Sequence, residues 1–175
     1  MKRASSQIRI ISGRFGGRLI DTPKTKATHP MGDRERSAIF NSLRDEIPGR
    51  RVLDAFAGSG AIGLEALSLG ATRVDFIENN PKAIRTIQKN IKSLEVADMA
   101  AVLRAPDGEY GIIFADPPYD NPQYDLVFSF VYNLVPGGYF VLSHPEAPEP
   151  PAHPYLELIS DKKYAAARIK IYRKK

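Results

Sequence analysis

Apolar positions along this 175-residue chain change period several times, and each change marks an element. Ile8-Arg9-Ile10-Ile11 and Arg18-Leu19-Ile20 are short β-branched runs with Gly13, Gly16 and Gly17 between them, which predicts a hairpin. Residues 21–31 carry Pro23 and Pro30 among Thr and Lys and read as a loop. Helical spacing returns over Asp33–Leu43, with Asp33 placed to cap the first turn. From Val52 the pattern alternates: a buried strand at Val52-Leu53, a glycine-rich turn, then a helix over Ala61–Leu69 closed by Gly70. Val74–Glu78 is a second strand. Pro81 starts a helix to about Ser93, with Ala83, Ile84, Ile87 and Ile91 on one face. Leu94-Glu95-Val96 is predicted as a short third strand and Met99–Leu103 as a helical turn. Ile112–Ala115, Tyr124–Leu134 and Gly138–Leu142 follow as strand, helix and strand. A proline-rich loop over 144–154 precedes a terminal antiparallel pair, Tyr155–Ile159 and Ala166–Tyr172, expected at a sheet edge. The alternation implies an α/β fold with a doubly wound, mostly parallel sheet and an antiparallel terminal strand. Residues 1–31 are expected to form an N-terminal basic hairpin extension and 32–175 the main domain.

Composition narrows the classes. The length suits one domain with its own core. The absence of cysteine excludes a disulfide scaffold, a Cys-ligated zinc site and a thiol nucleophile. No apolar run approaches the roughly 20 residues that span a bilayer. Met1–Gln7 has no signal-type apolar stretch, so a cytoplasmic location is expected. The net charge of +5 is uneven. Residues 1–51 hold 12 Lys/Arg against 5 Asp/Glu, residues 52–160 hold 6 against 14, and residues 161–175 hold 7 against 1. Basic ends around an acidic middle suit a polyanionic partner, although a solvated surface with a basic tail gives the same profile.

Three motifs carry candidate chemistry. Asp54-Ala55-Phe56-Ala57-Gly58-Ser59-Gly60 is a glycine turn after a buried strand, where backbone can approach a ligand closely. Gly58, Gly60 and Gly63 also satisfy the dinucleotide fingerprint G-x-G-x-x-G. An acid just upstream, Asp54, serves a pyrophosphate poorly and a cofactor with an ammonium group well, as in S-adenosylmethionine. Glu78 lies 18 residues after Gly60 at a strand end, placed to accept ribose hydroxyls of either kind of cofactor. Asp116-Pro117-Pro118-Tyr119 closes an apolar strand. Asp116 can accept from an exocyclic amine, and the proline pair fixes φ and leaves carbonyls as acceptors only. Tyr119 offers a face for a flat base. A plain turn needs neither the acid nor the ring.

Taken together these residues resemble the Rossmann-type S-adenosylmethionine-dependent methyltransferases that methylate amines. More narrowly they resemble the RsmD family, which methylates guanine N2 in bacterial 16S ribosomal RNA. Arg9–Gly13, Gly16-Gly17-Arg18, Asp33–Arg36 leading to Ile39-Phe40-Asn41, Asp54–Ala66 and Asp116–Tyr119 run in family order, and Ala167–Tyr172 fits as the terminal strand. The resemblance implies that Asp54, Phe56, Ala57, Gly58, Ser59 and Gly60 line the methionine end of the cofactor. It implies that Glu78 holds the ribose with Asn79 beside it, and that Asp98-Met99 lie near the adenine amine. Asp116 and the Pro117 carbonyl would receive the guanine N2 hydrogens, with Pro118 and Tyr119 completing the catalytic tetrad. Arg9, Arg14, Arg18 and Arg34 would contact RNA. The implied partner is 16S rRNA, either naked or in an assembling small ribosomal subunit, and the protein is expected to act as a monomer without metal. The chain departs from the family pattern at His29-Pro30, at Met31-Gly32 and in a shortened stretch from Asn90 to Asp116.

The tetrad would serve adenine N6 or cytosine N4 as readily, so a DNA methyltransferase is the alternative enzyme. A non-catalytic nucleic-acid-binding Rossmann module is the alternative from another class. An NAD oxidoreductase is disfavoured by Asp54 and by the lack of a hydride-transfer residue pair.

Overall fold

The computed structural model describes residues 6–23, 31–164 and 167–175. Its elements are β1 (Gln7–Arg9), β2 (Leu19–Asp21), α1 (Asp33–Ser42), β3 (Arg51–Ala55), α2 (Ala61–Ser68), β4 (Arg73–Ile77), α3 (Pro81–Ser93), β5 (Ala100–Leu103), β6 (Tyr110–Ala115), α4 (Tyr124–Ser129), β7 (Leu134–His144), β8 (Leu156–Lys163) and β9 (Arg168–Lys174). Seven strands form one sheet in the order β5-β4-β3-β6-β7-β9-β8, and β1-β2 form a separate antiparallel hairpin. β5, β4, β3, β6 and β7 are parallel, whereas β9 enters antiparallel between β7 and β8. The chain winds outward from β3 in one direction through β4 and β5, then in the other through β6 and β7. The switch point therefore lies between β3 and β6, where open α/β sheets bind ligands at their carboxyl edge. No helix among the described residues is long and apolar enough to cross a membrane. The expected departure at His29-Pro30 and most of the 21–31 loop lie outside the described residues.

Two stretches differ from the sequence expectation. The third strand is Ala100–Leu103, not Leu94–Val96, and Met99–Leu103 is not a helical turn. Ala100 to Leu103 pair with Val74 to Ile77 in register, so tertiary pairing overrides the weak local preference of Ala100-Ala101. Leu94 and Val96 instead close α3: their amides donate to Asn90 O and Ile91 O, with Glu95 at φ +58°. The helix predicted over Tyr124–Leu134 ends at Ser129, a 3-10 turn covers Phe130–Asn133, and Leu134 already belongs to β7.

The β5–β6 connection explains the shortened middle of the chain. Six residues, Arg104–Glu109, carry the chain past β4 and β3, where such a crossover usually needs a dozen or more and a helix. Polar side chains cover β4 on this face instead. Asp75, fully buried, accepts from Arg51 Nη2 (2.6 Å) and Nε (3.1 Å), Arg73 Nε (3.0 Å) and Tyr110 Oη (3.0 Å).

The hairpin is part of the core. Ile10 and Ile20 are buried in the same cluster as Ile39 and Phe40 of α1, Leu64 and Leu67 of α2 and Ile87 of α3. The opposite face of the sheet packs Leu53, Ile113 and Phe140 against Val127, Phe128 and Phe130. Glu65 of α2, fully buried, fastens the hairpin. It accepts from the amides of Ile11 (2.9 Å) and Ser12 (2.8 Å) and from Arg36 Nη1 of α1 (3.4 Å). Arg36 Nη2 in turn donates to Arg9 O (3.0 Å) and Asp33 Oδ1 (2.5 Å). Burial raises the Glu65 carboxyl pKa, and these donors pull it back. Asn90 of α3 adds a second tie: its side chain donates to Asp21 O (2.9 Å) and Ser59 O (3.0 Å) and accepts from the Asp21 amide (2.9 Å). Removing one partner of a buried ion pair strands the other charge. Glu65→Ala should therefore cost about 3–5 kcal/mol in urea unfolding, and Glu65→Gln, which keeps an acceptor, clearly less.

Candidate active site

The carboxyl ends of β3, β4, β5 and β6 open into one cleft of about 1120 Å³. Its floor is the turn after β3. Phe56 sits at φ +63°, a region costly for an aromatic residue, and its ring lines the cleft edge-on to Phe130 at 6.2 Å. Gly60 (φ +78°) opens α2, and a Cβ on Gly63 would fall 2.3 Å from the Phe76 ring, so α2 lies tight on the sheet.

The three fingerprint glycines do not aim their amides into the cleft. Gly58 N–H donates to Glu78 Oε2 (2.8 Å), Gly60 N–H to Ala57 O (2.7 Å) and Gly63 N–H to Asp54 Oδ2 (2.8 Å). These three glycine amides are thus spent on protein acceptors, two of them carboxylates.

Three carboxylates converge here. Asp54 is 1% exposed and lies behind the cleft wall. Burial drives its carboxyl pKa well above the usual range; the Gly63 amide opposes that, and the nearby charges of Asp116 and Glu78 add to it. Glu78 lines the cleft, and its Oε1 also accepts the amides of Asn79 and Asn80, both at 2.8 Å. Those bonds lock the carboxylate and leave lone-pair capacity for a ligand hydroxyl. Asp116 lines the cleft just beyond β6. Burial lifts its pKa to about 6, against the pull of the Ser143 and Tyr119 hydroxyls. Tyr119 Oη lies 2.5 Å from Ser143 Oγ, and burial followed by the Asp116 charge raises the tyrosine pKa.

The remaining sequence candidates are spread out. Phe56, Ala57, Gly58, Ser59, Glu78, Asn79 and the whole tetrad line the cleft, whereas Asp54 and Gly60 support it from behind. Asp98 is exposed and Met99 accepts from Arg14 Nη2 at 3.4 Å; neither lines the cleft. Arg104, Ala105 and Pro106 occupy that end. The open end of the hairpin, Ser6, Ile8, Thr22 and Pro23, forms another wall with Met31 and Arg36. Its tip packs on Ser68 and Ser93, the far ends of α2 and α3: Phe15 N–H donates to Ser68 Oγ (2.9 Å) and Arg18 Nη2 to Ser93 O (2.8 Å). Arg14 and Arg18 thus sit at the end of the hairpin away from the cleft. Arg9 is exposed and bonded to Gly17 O (2.7 Å), and Arg34 is exposed on the first turn of α1. Sequence reasoning missed Ser143, because a serine in an apolar strand carries no spacing signal. It missed Arg104–Pro106 because the strand that ends at Leu103 was read as helical.

Folding holds the Asp116 proton more tightly than the unfolded chain does, so the site costs stability as pH rises from 3.8 through about 6. Asp116→Asn, neutral throughout, should gain roughly 1–3 kcal/mol over the parent at pH 8 and nothing at pH 4, read from urea unfolding at both pH values.

Comparison with known proteins places the chain. The profile of the family described as Conserved hypothetical protein 95 matches residues 8–173. YlbH of Bacillus subtilis is 33% identical over 184 residues, covering 96% of this chain and 100% of that protein. A Haemophilus influenzae protein named ribosomal RNA small subunit methyltransferase D is 32% identical over 163 residues, covering 91% of this chain and 82% of that protein. The solved structure of yhhF from Escherichia coli superposes with a TM-score of 0.86 at 28% identity, over 97% of this chain and 99% of that one. The chain belongs to this family, the RsmD family of Rossmann-like methyltransferases.

Proposed function

We propose that this protein methylates the exocyclic N2 amine of a guanine in small-subunit ribosomal RNA, using S-adenosylmethionine. The observation that carries the reading is the cleft itself: the Asp116–Tyr119 tetrad shares it with the glycine turn and with Glu78. The name of the Haemophilus influenzae relative supports the RNA branch.

The residues fit the cofactor. Glu78 and Asn79 would take the ribose, Phe56–Ser59 the methionine end, and Ile77, Phe130 and Arg104–Pro106 the adenine. The acidic cleft suits its cationic groups. When bound, S-adenosylmethionine supplies a methyl group already activated as a sulfonium.

The protein's own work is positioning. The Asp116 carboxylate and the Pro117 carbonyl accept the two amine hydrogens and draw the nitrogen out of conjugation with the ring. Asp116 is ionised at neutral pH and takes the proton that becomes acidic on methylation. Access to the amine requires the base to leave its stack, with Tyr119 and Pro118 against the ring. Arg34 contacts RNA beside the cleft, and Arg9, Arg14 and Arg18 extend that track along the hairpin.

Labelled methyl transfer to ribosomal RNA, small subunits and DNA tests the reading. Label is expected in RNA or subunits; label in DNA alone would favour the adenine or cytosine alternative. Asp116→Ala should lower turnover by ~10²–10⁴-fold while calorimetry shows the cofactor still bound. Retained turnover would remove Asp116 from the mechanism. Arg14→Ala with Arg18→Ala should weaken RNA binding and reduce the slope of log K against log salt by about 1–2. An unchanged slope would make the hairpin tip purely structural.

A further inference from the structure

Asp116 and Tyr119 stand on a loop, yet amine chemistry requires both to be fixed. The anchor comes from the neighbouring strand. Ala115 of β6 pairs with Leu142 of β7, so Ser143 comes level with Asp116. β7 is hydrogen-bonded on both sides, to β6 and to β9, where Ser143 pairs with Ile169. Its backbone therefore cannot drift as the loop can. Ser143 is 0% exposed, and a buried hydroxyl needs partners. It finds them in Tyr119 Oη at 2.5 Å and in the Asp116 carboxylate.

We propose that Ser143 is a positioning residue for methyl transfer: its hydroxyl, fixed on β7, holds the Asp116 carboxylate and the Tyr119 ring in one arrangement. This rests on the amine-methylating reading of the cleft. One hydroxyl can donate to one carboxylate oxygen, which leaves the rest of that carboxylate turned to the cleft for the substrate amine. The same bond favours the ionised form of Asp116. The other groups that act on this carboxylate are Tyr119 on its own loop and Asp54 from β3, and Glu35 of α1 acts through Tyr119. The adjacent His144 is engaged elsewhere, with Nδ1 2.6 Å from Pro145 O and Lys170, Glu149 and Asp161 around it. Tyr119 also donates to the carboxylate, but without Ser143 its hydroxyl loses its anchor on β7.

Two readouts test this. The titration of the Asp116 carboxyl is followed by ¹³C NMR, with Asp116→Asn used to assign the signal. The pH profile of kcat/KM is measured beside it. In the parent both midpoints should fall near 6. Ser143→Ala should move both upward by about one unit. Turnover should then be lost about fivefold at pH 6 and largely recovered at pH 8.5. Ser143→Thr, which keeps the hydroxyl, should restore the parent profile, and cofactor affinity should stay within about twofold throughout. An Asp116 midpoint identical in the parent and Ser143→Ala overturns the proposal. So does a Ser143→Thr variant as impaired as Ser143→Ala. If the parent transfers no methyl to any RNA while the NMR midpoint still moves, the functional reading fails and the hydrogen bond from Ser143 to Asp116 stands.

Discussion

Carboxylates at the ends of adjacent parallel strands repel one another, and this molecule keeps three of them together. Asp54 ends on β3, Glu78 just past β4 and Asp116 just past β6, because parallel register brings those ends level. Each is restrained differently. Asp54 is sealed behind the wall on the Gly63 amide, Glu78 is pinned by three backbone amides, and Asp116 is held by hydroxyls. Keeping the trio costs stability that a packing-only sheet edge would not lose, which is the mark of a site shaped for a ligand. The ligand it favours carries positive charge. The Gly58 and Gly63 amides donate to two of these carboxylates, so the turn helps to hold the trio.

The N-terminal hairpin is joined to this edge as firmly as the helices are. Glu65, Arg36 and Asn90 tie it to α2, α1, α3 and the glycine turn. Its direction matters for function. The open end walls the cleft and the arginine-bearing tip lies at the far ends of α2 and α3, so any RNA that touches both runs along the length of the molecule. On the opposite face, where the β5–β6 crossover is six residues long and carries no helix, α4, the 3-10 turn after it and the Arg51–Asp75–Tyr110 network cover the sheet. That crossover brings Arg104–Pro106 to the cleft directly from the end of β5.

Much of this was legible in the chain. Val52-Leu53 before Gly58, Val74–Ile77 before Glu78, and Ile112–Ala115 before Asp116 each show a largely apolar run followed by a residue that lines the cleft, so strand ends and cleft residues come from one signal. Ala100–Leu103 gave no such signal, because two alanines suit a helix and only pairing with β4 makes them a strand. Asp98 accordingly lies off the cleft, which Arg104–Pro106 line instead. Ser143 reaches the site only through cross-strand register, which one sequence does not contain. The charge asymmetry suggested that the hairpin faces a polyanion, but charge has no direction, and the far placement of Arg14 and Arg18 came from packing on Ser68 and Ser93.

The account stands or falls on what the cleft methylates. Nucleoside mass spectrometry of small-subunit ribosomal RNA, from cells with and without the gene, tests that most directly. The account predicts the loss of one N2-methylguanosine in the deletion strain and its return when purified protein and S-adenosylmethionine are added to that RNA or to the subunit. An unchanged N2-methylguanosine content, or the loss of a methylated adenine or cytosine instead, would contradict it.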